Sequence, residues 1–187
     1  MRTLRENIIW GLLLLLSLFW ALGAHAAESN ASGRRLRVEN VPELPASVAA
    51  VLHDRSCTIP QPSQEAHVRN VIRGKFFRKG QRGWAVLCSS GGKSSIFVFR
   101  DSRDSIPDEI GKSADNRFIL DTLEGKKVYS REVSAVNREF ILRHYYAYGG
   151  LKPPPIDHDG IDDAFLEKAS ITWYWYEGRW IQLQGAD

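Results

Sequence analysis

The chain has 187 residues, with 25 Lys plus Arg against 22 Asp plus Glu and a net charge of +3 at neutral pH. A balance this even excludes a strongly cationic nucleic-acid binder and an acidic disordered tail. Hydrophobic residues make up 43%, and a chain of this length buries enough surface to fold as one domain.

Met1 to Ala26 has the three parts of a secretory signal. Arg2 and Arg5 give the positive start, Ile8 to Leu22 is apolar, and Ala24-His25-Ala26 places small residues where a signal peptidase reads. The apolar run is shorter than the roughly 20 residues a membrane span needs. No cysteine follows it and no second apolar run occurs. The expectation is therefore cleavage near Ala26 and a soluble mature protein, periplasmic or secreted, with no membrane span and a charge of +2. An exported chain with two cysteines, Cys57 and Cys88, is expected to bridge them. Zinc is a poor fit, since no Cys-x-x-Cys or His-x-x-x-His spacing occurs.

Residues 27–43 are polar and read as a flexible leader, and residues 44–187 read as one domain. Pro45-Ala46-Ser47 opens a short helix whose Val48, Val51 and Leu52 share a face. Pro60 and Pro62 close that region. Asn70 to Gly74 reads as a strand. Trp84 to Cys88 and Ile96 to Phe99 flank a Gly91-Gly92 turn and read as a hairpin covered on both faces. Asp101 to Asn116 is charged and reads as a surface loop with room for a short helix. Phe118–Leu123 and Lys127–Val133 suggest a weaker strand pair, and Phe140 to Tyr148 a short helix stopped by Gly149-Gly150. The last element is a hairpin across Glu177-Gly178, in a register that sets Trp175 opposite Trp180 and Tyr174 opposite Ile181. The fold class expected is α+β, mainly antiparallel hairpins with two short helices and one disulfide.

The most distinctive polar run is Asp157-His158-Asp159-Gly160-Ile161-Asp162-Asp163. Carboxylates clustered around a glycine suit a hard cation with oxygen ligands. Its register excludes an EF-hand, because Pro155 and Leu166 fall where the first and last acidic ligands belong. Asp157, Asp159 and Asp163 are the candidate calcium ligands. His158 with Trp173, Trp175 and Trp180 is the candidate binding surface. His53, His67, His144 and His158 are widely spread, and no Gly-x-Ser-x-Gly, phosphate-loop or dinucleotide fingerprint occurs. Lys75, Arg78, Lys79 and Arg82, with Arg73 and Lys93, interleave with Phe76, Phe77 and Trp84. An exported protein would turn such a patch toward anionic envelope polymers or lipid headgroups rather than nucleic acid.

The segment Asp157-x-Asp159-Gly160-x-x-Asp163 resembles the cation loop of FG-GAP repeats, the half-repeats of integrin-type propellers, without its first acid. Gly74-Lys75-Phe76 to Gly83-Trp84-Ala85-Val86-Leu87 resembles the same module with basic residues in place of the acids. The resemblance implies a cation loop ahead of a strand, yet two copies are too few for a closed propeller. The mature chain also resembles a group of small exported bacterial proteins of unassigned function. That likeness rests on Cys57–Gln61, Trp84–Ser89, Asp157–Phe165 and Gly185–Asp187. Together these features point to a non-enzymatic exported binding module, calcium-assisted, with an unidentified protein or envelope-polymer ligand. The alternative is a small secreted hydrolase using the same carboxylates on a glycan.

Overall fold

The computed structural model describes residues 34–62, 67–123 and 125–186. The expected signal segment and the first part of the expected leader lie outside them.

The described chain stacks four layers: a helix, a six-stranded sheet, a four-stranded sheet and a second helix. The first sheet contains β1 (Arg35–Arg37), β2 (Thr58–Pro60), β3 (Val71–Gly74), β4 (Gly83–Ser90), β5 (Lys93–Phe99) and β6 (Asp108–Ala114). Its order is β1-β2-β4-β5-β6, with β3 sharing the β2 edge of β4. A two-stranded ribbon follows, β7 (Ile119–Asp121) with β8 (Lys127–Tyr129). The second sheet runs β12-β11-β10-β9. It comprises β9 (Arg131–Val136), β10 (Gly160–Phe165), β11 (Ala169–Tyr176) and β12 (Arg179–Gln184). Every pairing is antiparallel.

The central hairpin forms as its apolar runs require. Strands β4 and β5 are buried on both faces because each face has its own cover. On one side α1 (Ala46–Asp54) places Val48 and Leu52 against Val86, Phe97 and Phe99. On the other, Ala85, Leu87, Ile96 and Val98 meet Val133 and Ile161 of the second sheet. The outer face of that sheet is closed by α2 (Arg138–Tyr148), whose Ile141 packs with Val136, Ile156, Tyr174 and Leu183. Asn137 caps α2 by accepting the Phe140 N–H at 3.0 Å. Cys57 and Cys88 are bonded, with Cα atoms 5.3 Å apart, and tie the exit of α1 to β4. The last hairpin has the expected register, Trp175 opposite Trp180 and Tyr174 opposite Ile181.

Four local expectations are corrected. The leader is not flexible through residue 43: Arg35–Arg37 pairs with β2, and Leu36, Val38 and Val41 are buried. Alternation with arginines hid that apolar face. Asp101 to Asn116 is not all loop, because Asp108–Ala114 is the edge strand β6, which buries only Ile110 among its residues. Lys127 to Val133 is not one strand: the chain breaks at Ser130, and Arg131 onward joins the second sheet. The acidic run is loop only as far as Asp159, and Gly160–Phe165 is strand β10 at the centre of its sheet.

Candidate functional site

The loop leading into β10 sits on Tyr174, which β11 sends toward the α2 layer. The Tyr174 ring stacks on His158 with centroids 4.3 Å apart. Its Oη lies 3.0 Å from His158 Nδ1 and accepts the Asp157 N–H at 3.2 Å. Asp157 Oδ1 is 2.5 Å from the same Nδ1. The hydrogen bond from His158 holds the Asp157 carboxyl below its ordinary pKa, and burial pushes the Tyr174 phenol up. The His158 side chain is only 7% exposed, and its Nε2 has no hydrogen-bond partner among the described residues. It is a wedge beneath the loop rather than a surface ligand.

Asp159 does something different. Its Oδ2 accepts the Lys75 N–H at 2.8 Å, and its own N–H donates to the Lys75 carbonyl at 3.0 Å. This clamp joins the acidic loop to the segment that leaves β3. Gly160 follows because the strands approach closely there: a Cβ would lie 2.8 Å from Thr172 Cγ2.

Inside β10, alternation sends neighbouring acids to opposite faces. Asp163 faces the first sheet. Arg131 Nε donates to Asp163 Oδ1 at 2.7 Å and Nη2 to Oδ2 at 2.8 Å. Trp173 Nε1 adds a third bond to Oδ2 at 3.2 Å. Arg131 is 1% exposed, and it also donates to the Ser94 carbonyl, Ser94 Oγ and the Gly111 carbonyl. Gly111 has φ +63 at the bulge between β5 and β6, and a Cβ there would lie 2.7 Å from Arg131 Nη2. Asp162 faces the α2 side, where Ser170 Oγ donates at 2.7 Å and Thr172 Oγ1 at 3.4 Å. Burial raises its pKa, against the lowering effect of Ser170 and Thr172.

The three carboxylates nominated as calcium ligands therefore do not converge. Asp157 is at the solvent edge, Asp159 is spent on a backbone clamp, and Asp163 is paired with arginine between the sheets. Among the described residues no group of three or more His, Cys, Asp or Glu is placed to hold a metal ion. These donors do not fit a calcium cage without releasing the partners they already have.

The nominated tryptophans turn inward. Trp173, Trp175 and Trp180 pack at the edge of the core between the sheets. Phe77 meets Trp175 and Trp180 edge to face at 5.2 and 5.4 Å, and those two meet each other at 5.5 Å. Arg100 caps the cluster 4.4 Å from the Phe77 centroid, and Trp180 Nε1 donates to Asp108 at 2.9 Å. Trp175 and Trp180 thus meet each other and Phe77.

Beside the acidic loop, a groove of about 390 Å³ stays open between it and the start of α2. Ala135, Asn137, Glu139, Phe140, Arg143 and Asp159 line it. Farther along, α2 and the residues after it expose Tyr146, Tyr148 and Leu151. Of the nominated residues, Asp159 alone lines this groove. The sequence reading passed over Asn137 and Arg143; the cap pattern Asn137-x-x-Phe140 could have moved the helix start and revealed the former. Asn70, with φ 67, was also missed. Its buried amide donates to the Pro60 and Arg131 carbonyls and accepts the Val133 N–H, lacing the first sheet to the second.

No protein-family model, curated protein or solved structure matches this chain. No helix among the described residues is long and apolar enough to cross a membrane.

Proposed function

We propose that this is an exported, non-enzymatic binding module whose ligand contact is the groove between α2 and the loop leading into β10. The observation that carries this reading is the separate employment of the acidic run. A glycosidase-type mechanism needs two carboxyl groups facing one scissile bond. Here Asp157 and Asp163 work on different sides of the sheet, and Asp163 is neutralised by Arg131. The groove instead offers the Asn137 amide, the Arg143 guanidinium and the Glu139 and Asp159 carboxylates beside Phe140, with Asp159 already accepting the Lys75 N–H, which suits hydrogen-bonded contact with a glycan or a polar peptide. The disulfide supports an oxidising, extracytoplasmic setting. The two FG-GAP-like segments meet at the Lys75–Asp159 clamp, which supports reading them as related half-repeats that hold each other rather than a cation.

The test is co-sedimentation of the purified protein with insoluble envelope glycan, with release of reducing ends followed in the same tubes. Saturable binding that weakens in Arg143→Glu, with no reducing ends released, is the expected result. Time-dependent cleavage lost in Asp159→Asn would establish the hydrolase instead.

A further inference from the structure

The outer face of the first sheet is only partly covered by α1. Toward β6 it leaves a hollow of about 340 Å³ beside the Cys57–Cys88 bridge. Three cations from three places in the chain converge on it: Arg55 after α1, Lys93 at the start of β5 and Lys112 on β6. Its polar floor is Ser95, and Phe97 forms the apolar part. The single acid is Glu109, and it is already matched. Ser95 Oγ donates to it at 2.7 Å and Lys112 Nζ lies 3.1 Å away. The Arg55 guanidinium is held 5.3 Å from the Phe97 centroid while Nη1 donates to the Val51 carbonyl at 3.0 Å. This fixes one face of the guanidinium and leaves donors over. Lys93 makes no ion pair among the described residues. The hollow thus holds an excess of two positive charges, one of them on a braced arginine.

We propose that this hollow is an anion subsite for a phosphoryl group, carried by a small phosphate ester or by a lipid headgroup. A braced guanidinium supplies paired donors, and an ammonium supplies a mobile point charge, the two complements that tetrahedral oxyanions take. The volume admits a phosphoryl group with a short organic substituent. The site lies on the α1 side, in the layer opposite the α2 groove, so its failure leaves the groove reading intact.

The experiment titrates the intact, oxidised protein with inorganic phosphate and with glycerol phosphate at constant ionic strength, followed by backbone amide chemical shifts. A parallel arm measures pelleting with vesicles containing phosphatidylglycerol. Saturable shifts confined to Ser90–Phe97, Arg55 and Lys112, weakened at least tenfold in Lys93→Ala, are expected for a soluble ester. Pelleting lost in Lys93→Ala, with weak response to free phosphate, assigns the phosphoryl group to a lipid. Lys93 is the exposed first residue of β5, with its side chain outside the core, so this variant keeps the fold. No response in either arm, or a response that Lys93→Ala leaves unchanged, overturns the proposal.

Discussion

Removing the carboxylate of Asp163 would leave the Arg131 guanidinium between two packed sheets with only carbonyl and hydroxyl partners. Breaking a buried pair in this way costs about 3–5 kcal/mol. Asp163→Ala is therefore expected to lower the urea midpoint steeply, whereas Asp157→Ala, which removes a solvent-exposed carboxylate, should cost about 0–1 kcal/mol. Equal losses would show that the two acids are not employed as described. Asp162 is expected to shape the pH profile. Its folded pKa lies above the unfolded one, so its proton is bound more tightly in the folded state. That contribution is fully present below the ordinary carboxylate pKa and is lost as pH rises through the raised value. Asp162→Asn keeps an acceptor for Ser170 and should flatten that fall in stability relative to wild type. A wild-type-like slope in the variant would assign the pH dependence to another group. A calcium titration tests the separation of the acidic run. At a hundredfold excess over a dissociation constant, binding adds about 2.7 kcal/mol, or roughly 5–10 °C in Tm for a domain of this size. The separated carboxylates predict no such shift between calcium and chelator, and a shift abolished by Asp159→Ala would reverse that assignment.

At the scale of elements, the disulfide is the tie with the most leverage, since it spans 31 residues between α1 and β4. Closing such a loop restricts the unfolded chain by about 3–4 kcal/mol. The double variant Cys57→Ser with Cys88→Ser should lose stability of that order in chemical denaturation, and a loss below about 1 kcal/mol would show that packing alone holds α1 in place. Elements with a clean apolar signature were legible in the sequence. The β4–β5 hairpin, both helices and the tryptophan hairpin with its register all follow from runs of apolar residues broken by Gly-Gly, Glu-Gly or proline. Strands whose faces are charged were not. Strand β6 is an edge with one buried side chain, and β1 alternates leucine with arginine. Strand β10 carries Asp162 and Asp163 because Arg131 and Ser170 wait for them on opposite sides. Those partners lie 32 and 8 residues away, and neither carries a motif that would announce the contact. The same physics misdirected the site reading: tryptophans and carboxylates that look like a binding surface in sequence are mostly inter-sheet packing, and Asp159 alone lines the open groove.

At the scale of the whole molecule, the four layers leave two different outer faces. The α2 face carries the mixed polar groove and exposed aromatics, and the α1 face carries the cationic hollow. The material between them is committed to stability: the Arg131–Asp163 pair, the Asn70 lacing and the tryptophan cluster all join one sheet to the other. The proposed ligand contact accordingly lies on an outer surface, the α2 groove. Hydrogen exchange of the full protein, with and without soluble fragments of envelope glycan, tests that contact directly. Added protection is expected at residues 137–143 and 157–160 and none at residues 173–182. Protection centred on the tryptophan hairpin, with the groove unchanged, would contradict it.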